Sequence, residues 1–176
     1  MLTELSTNVD KIQCIQIVAD LSTFEGICQF ATVIKTKEQQ IDILVNNAGA
    51  TWGESFEDFP EQGWDKVMNL NAKAPFFIIQ QLLDLLKVSG SKSDPAIVIN
   101  IASINALIHP RMTNYSYAAS KAAIFQMTRH LAGDLVKENV NINAIAPGFF
   151  LSKMTKYSIE QQDKAAFAEK WYLWDV

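Results

Sequence analysis

"IDILVNNAG", residues 41–49, is apolar through Val45 apart from Asp42, and then turns abruptly to amides and small residues. A short run of this kind predicts a strand buried on both faces, the pattern of a parallel sheet. The surrounding chain repeats the rhythm. Upstream, "CIQIVADLS" (14–22) reads as a strand ending near Asp20. Ser22 with Glu25 three residues later reads as a capping box opening a helix through "GICQFATVIKTK". Downstream, Pro60 starts a long helical region running toward Lys87, bent near Pro75 because proline cannot donate in a helix.

The loop "SGSKSDP" (89–95) leads into "AIVINIAS" (96–103), a third buried strand. A helix is expected from about Ser116 to Lys137, with Ile124, Met127, Leu131 and Leu135 along one face. "VNINAIAPG" (140–148) is a fourth strand closed by Pro147-Gly148, and Ser158 with Gln161 suggests a capped helix to about Lys170. The tail "WYLWDV" continues no pattern, and Trp171 and Trp174 read as packing residues. Strands alternating with helices predict an α/β fold with a doubly wound parallel sheet in one domain. No repeat or interdomain linker interrupts it.

The 176 residues allow one domain with a real core. With 49% hydrophobic and 19% charged residues, the composition is that of a globular chain. A net charge of −4 without a basic cluster favours neither nucleic acid nor an anionic membrane surface. No signal peptide is read at the start, and "PFFIIQQLLDLL" is too short and too interrupted to span a bilayer. The two cysteines, Cys14 and Cys28, lack metal spacing and read as reduced cytoplasmic thiols. His109 and His130 read as ordinary loop and helix residues, and no metal site is expected.

"YSYAASKAAI" (115–124) holds the candidate chemistry. Successive helical residues turn by about 100°, so Tyr117 and Lys121 lie about 40° apart, whereas Tyr115 is about 240° from Lys121. An acid on this helix is therefore Tyr117. A free tyrosine titrates near 10, so acting close to neutral pH needs roughly 4 kcal/mol of differential stabilisation. A partly desolvated lysine one turn away supplies much of it by favouring the phenolate. A Tyr-x-x-x-Lys spacing alone is a weak signal; most such pairs are neighbours on a helix surface. Three of the expected strands, however, end in polar or glycine-containing sequence where open α/β sheets bind ligands: Asn46-Asn47-Ala48-Gly49, Ala102-Ser103 and Pro147-Gly148. Taken singly, these are strand-ending turns, a loop hydroxyl and a strand terminator.

In this order, "DILVNNAG", the Asn of "WDKVMNLN", the Ser of "INIAS", "YAASK" and "NAIAPG" resemble the short-chain dehydrogenase/reductase family, from about Asp20 to Ser152. "QQLLDLL", "VINIAS", "YSYAASKAA" and "APGFFLSKMT" are similar to its rhamnolipid-pathway branch of 3-oxoacyl-acyl-carrier-protein reductases. The resemblance implies a Rossmann-like fold and NAD(P)-dependent interconversion of a carbonyl and a secondary alcohol. It implies a catalytic set of Asn71, Ser103, Tyr117 and Lys121. Tyr117 would protonate the substrate oxygen, Lys121 would lower the Tyr117 pKa and bond the nicotinamide ribose, Ser103 would hold the carbonyl, and Asn71 would position a water. For the cofactor it implies Asp20 and Leu21 beside the adenine, Asn47, Ala48 and Gly49 at a close backbone approach, Tyr117 and Lys121, and Phe150 and Ser152 near the carboxamide. The implied cofactor is NADP or NAD, and the implied substrate a small carbonyl or acyl thioester. The expected partners are a second copy or a longer relative.

The sequence departs from the family in having no glycine-rich phosphate turn among its seven glycines. The expectation is an incomplete Rossmann-like domain over 1–176, lacking the first βαβ unit and the last strand, with 170–176 as a non-family tail. Two alternatives to an active oxidoreductase stay open: a catalytically inactive interaction or dimerisation module, and an incomplete gene product. An incomplete sheet also predicts a bare apolar edge at "IDILVNN" and self-association.

Overall fold

Thr23 opens the first described helix by accepting the Gly26 N–H on its hydroxyl at 3.0 Å. The computed structural model describes residues 14–109 and 112–148. The helix, α1 (Phe24–Lys37), buries Ile27 and Ala31 and packs Phe30 and Ile34 beside them, positions spaced to form one stripe. The expected capping box is thus corrected by one residue. Ser22 is drawn instead to the Asp20 carboxylate, donating from its N–H at 2.9 Å and its hydroxyl at 2.6 Å, which leaves Thr23 as the cap.

After α1 come β1 (Ile43–Asn46), α2 (Glu61–Met68), α3 (Ala74–Ser89), β2 (Ala96–Ile101), α4 (Tyr115–Leu135) and β3 (Val140–Ile145). The strands form a parallel sheet in the order β1-β2-β3, with Leu44 opposite Val98 and Val98 opposite Ile142. The expected strand at 14–22 does not form. No described strand runs beside it, so its peptide groups have no ladder to join, and Val18 is 92% exposed.

The long helical region breaks into α2 and α3, joined by a π-helical segment at Asn69–Lys73. Pro75 has no N–H to offer the Asn71 carbonyl four residues earlier. The chain yields there, and the Ala74 N–H reaches back five residues to the Asn69 carbonyl. The irregularity expected near Pro75 therefore takes the form of this π-helical segment just before it.

One core joins α1 to α3 through Ile27, Ala31, Ala74, Ile78, Leu82 and Leu85. A second lies between the sheet and the helices, where Ala96, Val98, Val140 and Ile142 meet Ile79 and Leu86, with Leu131 and Leu135 of α4 alongside. All these strand residues point to one face. On the other face Ile43, Val45 and Ile145 are 60%, 51% and 50% exposed. The burial on both faces expected of "IDILVNN" is therefore corrected: the described helices cover one face of the doubly wound arrangement, and β1 is an edge strand. The predicted helix at 158–170, the tail and residues Phe150, Ser152, Trp171 and Trp174 lie outside the described residues. No helix among the described residues is long and apolar enough to cross a membrane.

Candidate active site

Lys121 is 5% exposed, and its ammonium donates to the Ile101 carbonyl at 2.5 Å, at the carboxyl end of β2. Burial lowers its pKa to about 8, because desolvation penalises the charged form. The same nitrogen stands 5.6 Å from the centre of the Tyr117 ring. Helical phase thus brings Tyr117 and Lys121 together as the sequence predicts. Tyr115 points elsewhere: it is 40% exposed and packs edge-on against Phe56 and Phe59, at 5.8 and 5.7 Å between ring centres. That aromatic packing accounts for the second tyrosine.

Ser103 follows β2 directly and is 8% exposed. Its hydroxyl accepts the Asn105 N–H at 3.2 Å, capping a short 3-10 turn that packs against α4. The Ala102 N–H bonds the Ile145 carbonyl at 2.8 Å, and the Ile104 N–H bonds the Pro147 carbonyl at 3.0 Å. These two bonds set the Pro147-Gly148 turn alongside Ser103, so the ends of β2 and β3 share one rim with the Tyr117–Lys121 helix.

Asn71 is 1% exposed and has its whole side chain in use. Its Oδ1 accepts the Ala50 N–H at 2.8 Å, while Nδ2 donates to the Ala50 carbonyl at 2.9 Å and to the Ser120 hydroxyl at 3.0 Å. Ser120 in turn donates to the Tyr117 carbonyl at 2.7 Å. Asn71 therefore binds the loop after β1 to the helix bearing Tyr117. With both amide hydrogens committed, its side chain has no donor left for a water.

The positions that the resemblance implies for a cofactor divide. Leu21, Asn47 and Ala48 line one cleft of about 80 Å³, together with Phe30, Asn46 and Leu70. Gly49 lies where a Cβ would stand 3.3 Å from Asn71 Oδ1, so a small residue suits this approach. Asp20 sits next to Leu21 but does not line the cleft; its carboxylate, held below its ordinary pKa by the Ser22 hydroxyl and N–H, closes its own turn. Phe150 and Ser152 lie outside the described residues.

Two residues that sequence reading did not place at the site, Asn100 and Thr128, tie Asn46 to α4. Asn46 donates to Asn100 Oδ1 at 2.8 Å, Asn100 donates to the Thr128 hydroxyl at 2.9 Å, and Thr128 donates to the Ile124 carbonyl at 2.8 Å. A signal was available. Asn100 interrupts an apolar run on its inward-facing side, and Thr128 stands two turns beyond Lys121 on the same face of α4.

Parallel strands whose carboxyl ends meet a Tyr-Lys helix, a serine rim and a small-residue turn define a Rossmann-like α/β architecture. The model for short chain dehydrogenases matches residues 1–163, and the chain belongs to that family. It is 46% identical over 144 residues to the rhamnolipids biosynthesis 3-oxoacyl-[acyl-carrier-protein] reductase of Pseudomonas aeruginosa, covering 82% of this chain and 56% of that protein. It is 33% identical over 169 residues to the 2-dehydro-3-deoxy-D-gluconate 5-dehydrogenase of Dickeya dadantii, covering 93% and 65%. Among solved structures, the Pseudomonas aeruginosa RhlG/NADP active-site complex superposes with a TM-score of 0.80 at 45% identity, over 87% of this chain and 59% of that one. A gluconate 5-dehydrogenase from Burkholderia cenocepacia, in complex with NADP and tartrate, superposes at 0.74 with 26% identity, over 86% and 56%. The chain thus spans about three fifths of the length of the relatives it matches.

Proposed function

We infer that this chain carries the proton-transfer half of an NAD(P)-dependent oxidoreductase site that interconverts a carbonyl and a secondary alcohol, with a 3-oxoacyl thioester as substrate. The observation that carries this reading is the pairing of Tyr117 with a buried Lys121 whose pKa is lowered to about 8. The Tyr117 hydroxyl would give its proton to the substrate oxygen in reduction and take it back in oxidation. The Lys121 ammonium favours the phenolate form, and Ser103 offers a hydroxyl at the same rim for the carbonyl oxygen. The substrate class rests on the likeness to the Pseudomonas aeruginosa reductase.

A nicotinamide dinucleotide would supply the hydride. The described residues suit its nucleoside end: Leu21, Asn47 and Ala48 line the cleft, and Gly49 permits a close backbone approach. NADP is the cofactor proposed, from the NADP complexes among the similar structures. Titrating the chain into NADPH and following its fluorescence tests this. Saturable binding with a Kd in the micromolar range, together with turnover of a 3-oxoacyl thioester that Tyr117→Phe abolishes, supports the reading; no binding at millimolar chain overturns it.

The bare sheet face favours a second reading. Among the described residues, Ile43, Val45 and Ile145 present an exposed apolar surface beside an edge strand, which suits a chain that pairs with a second copy or a longer relative. Co-purification with a longer relative, without turnover by the chain alone, supports that reading.

A further inference from the structure

The turn Asn47-Ala48-Gly49 is bracketed by two residues that are each tied to α4 through side-chain amides. On its near side, Asn46 reaches Thr128 through Asn100. On its far side, Ala50 is gripped by Asn71, which bonds Ser120. Ser120 lies beside Lys121, and Thr128 lies seven residues beyond it, two turns along the same face. The helix therefore meets β2 at two polar points: Lys121 on the Ile101 carbonyl and Thr128 on the Asn100 side chain.

The Asn46–Asn100–Thr128 chain has a fixed direction. Thr128 spends its one hydrogen on the Ile124 carbonyl, so its oxygen receives the Asn100 amide, whose own oxygen receives Asn46. Asn100 is fully buried, with Thr128 5% and Asn46 8% exposed, so water does not replace a lost partner without the core opening. Apolar packing tolerates a helix sliding or rotating by a fraction of an ångström, whereas a directed chain of buried hydrogen bonds holds one placement. No other described helix residue than Thr128 takes the Asn100 amide.

We propose that Asn100 and Thr128 are positioning residues: through their buried hydrogen bond they set where Lys121 and Tyr117 stand relative to the β2 end and the 47–49 turn. The assignment rests on the Tyr117–Lys121 reading above, but its test needs neither cofactor nor turnover. The probe is the chain itself, labelled with 13Cε-lysine and titrated by NMR, with the Lys121 signal assigned through Lys121→Arg.

In the wild-type chain the Lys121 signal is expected to titrate with a midpoint near 8, from the burial of its ammonium. Thr128→Val keeps the shape and removes the hydroxyl. The helix then loosens over β2, water reaches the ammonium, and the midpoint moves by at least about half a pH unit toward the ordinary lysine value near 10.4. Thr128→Ser restores the hydroxyl and the wild-type midpoint. Should Thr128→Val fail to fold by near-UV circular dichroism, Thr128→Ala, which lacks the same hydroxyl, takes its place. A folded Thr128→Val or Thr128→Ala whose Lys121 midpoint is unchanged overturns the proposal. So does failure of both to fold while Thr128→Ser folds, since the hydroxyl then serves folding rather than placement. An inactive chain with the expected midpoint change leaves the proposal standing and counts only against the proposed function.

Discussion

The Lys121 ammonium stands 5.6 Å from the centre of the Tyr117 ring while it donates to the Ile101 carbonyl, so one buried lysine joins the candidate acid to the end of a strand. That relationship separates the two tyrosines of one short motif. Tyr117→Phe is expected to cut 3-oxoacyl thioester turnover by about a hundred- to ten-thousand-fold, the usual range for a lost general acid. Tyr115→Phe should leave turnover within a small factor. Tyr115→Ala should instead lower stability by about 1–3 kcal/mol, from two edge-on aromatic contacts. Steady-state kinetics and urea melts read the two effects apart.

Burial of Lys121 gives the fold a pH signature. The folded state releases this proton near 8 and the unfolded chain near 10.5, so between those values the unfolded state binds more protons. Stability from this group therefore rises with pH across that window, and below about 8 the full penalty of the buried charge is present. Lys121→Met should abolish this rise and stabilise the chain at neutral pH. Urea midpoints for both chains at pH about 7 and about 10 check it; equal slopes would sink the idea.

Asn71→Ala removes three hydrogen bonds, one buried and two part-buried, and takes from both backbone groups of Ala50 their side-chain partner. At about 1 kcal/mol net per bond, the loss should reach about 2–4 kcal/mol in a urea melt. Asn71→Asp keeps the acceptor for the Ala50 N–H but sets a second oxygen against the Ala50 carbonyl, so it should not rescue.

At Gly26 a Cβ would stand 2.0 Å from the Asp20 carbonyl oxygen, because the turn before α1 folds onto the helix. Gly26→Ala must push that turn away, at a cost of about 1–3 kcal/mol. Leu21, which lines the cleft, moves with it. Both the melt and NADPH binding should weaken, whereas Gly133→Ala, with open space around its Cβ, should weaken neither.

The uncovered sheet face predicts binding of the dye ANS and self-association at micromolar chain. Val45→Lys places a charge on the edge strand at a half-exposed site. It should lower both dye fluorescence and the sedimenting oligomer fraction, while Val98→Lys, on the buried face, should unfold the chain.

How much was legible depends on how local the cause is. The strands at 43–46, 96–101 and 140–145 and the helix at 115–135 follow from apolar runs and a helical period, both written in adjacent residues. So does the choice of Tyr117 over Tyr115, since four residues of helix return a side chain to the same face. Caps and bends were harder: Ser22 and Thr23 compete for one role, and the outcome turned on which of them Asp20 captured. The strand expected at 14–22 failed for a non-local reason, as an extended segment becomes a strand only beside another.

By itself, then, the sequence determined the α/β class, the pairing of Tyr117 with Lys121 and the small-residue turn at 47–49, because periodicity and residue size act over a few neighbours. Only the tertiary structure decided that α4 is held by Asn100 and Asn71 from two other elements, that Lys121 is desolvated, and that Ile43, Val45 and Ile145 lie exposed on the sheet face the described helices do not cover. Those facts depend on groups tens of residues apart meeting in space, where burial and hydrogen-bond direction, rather than local pattern, set the energy.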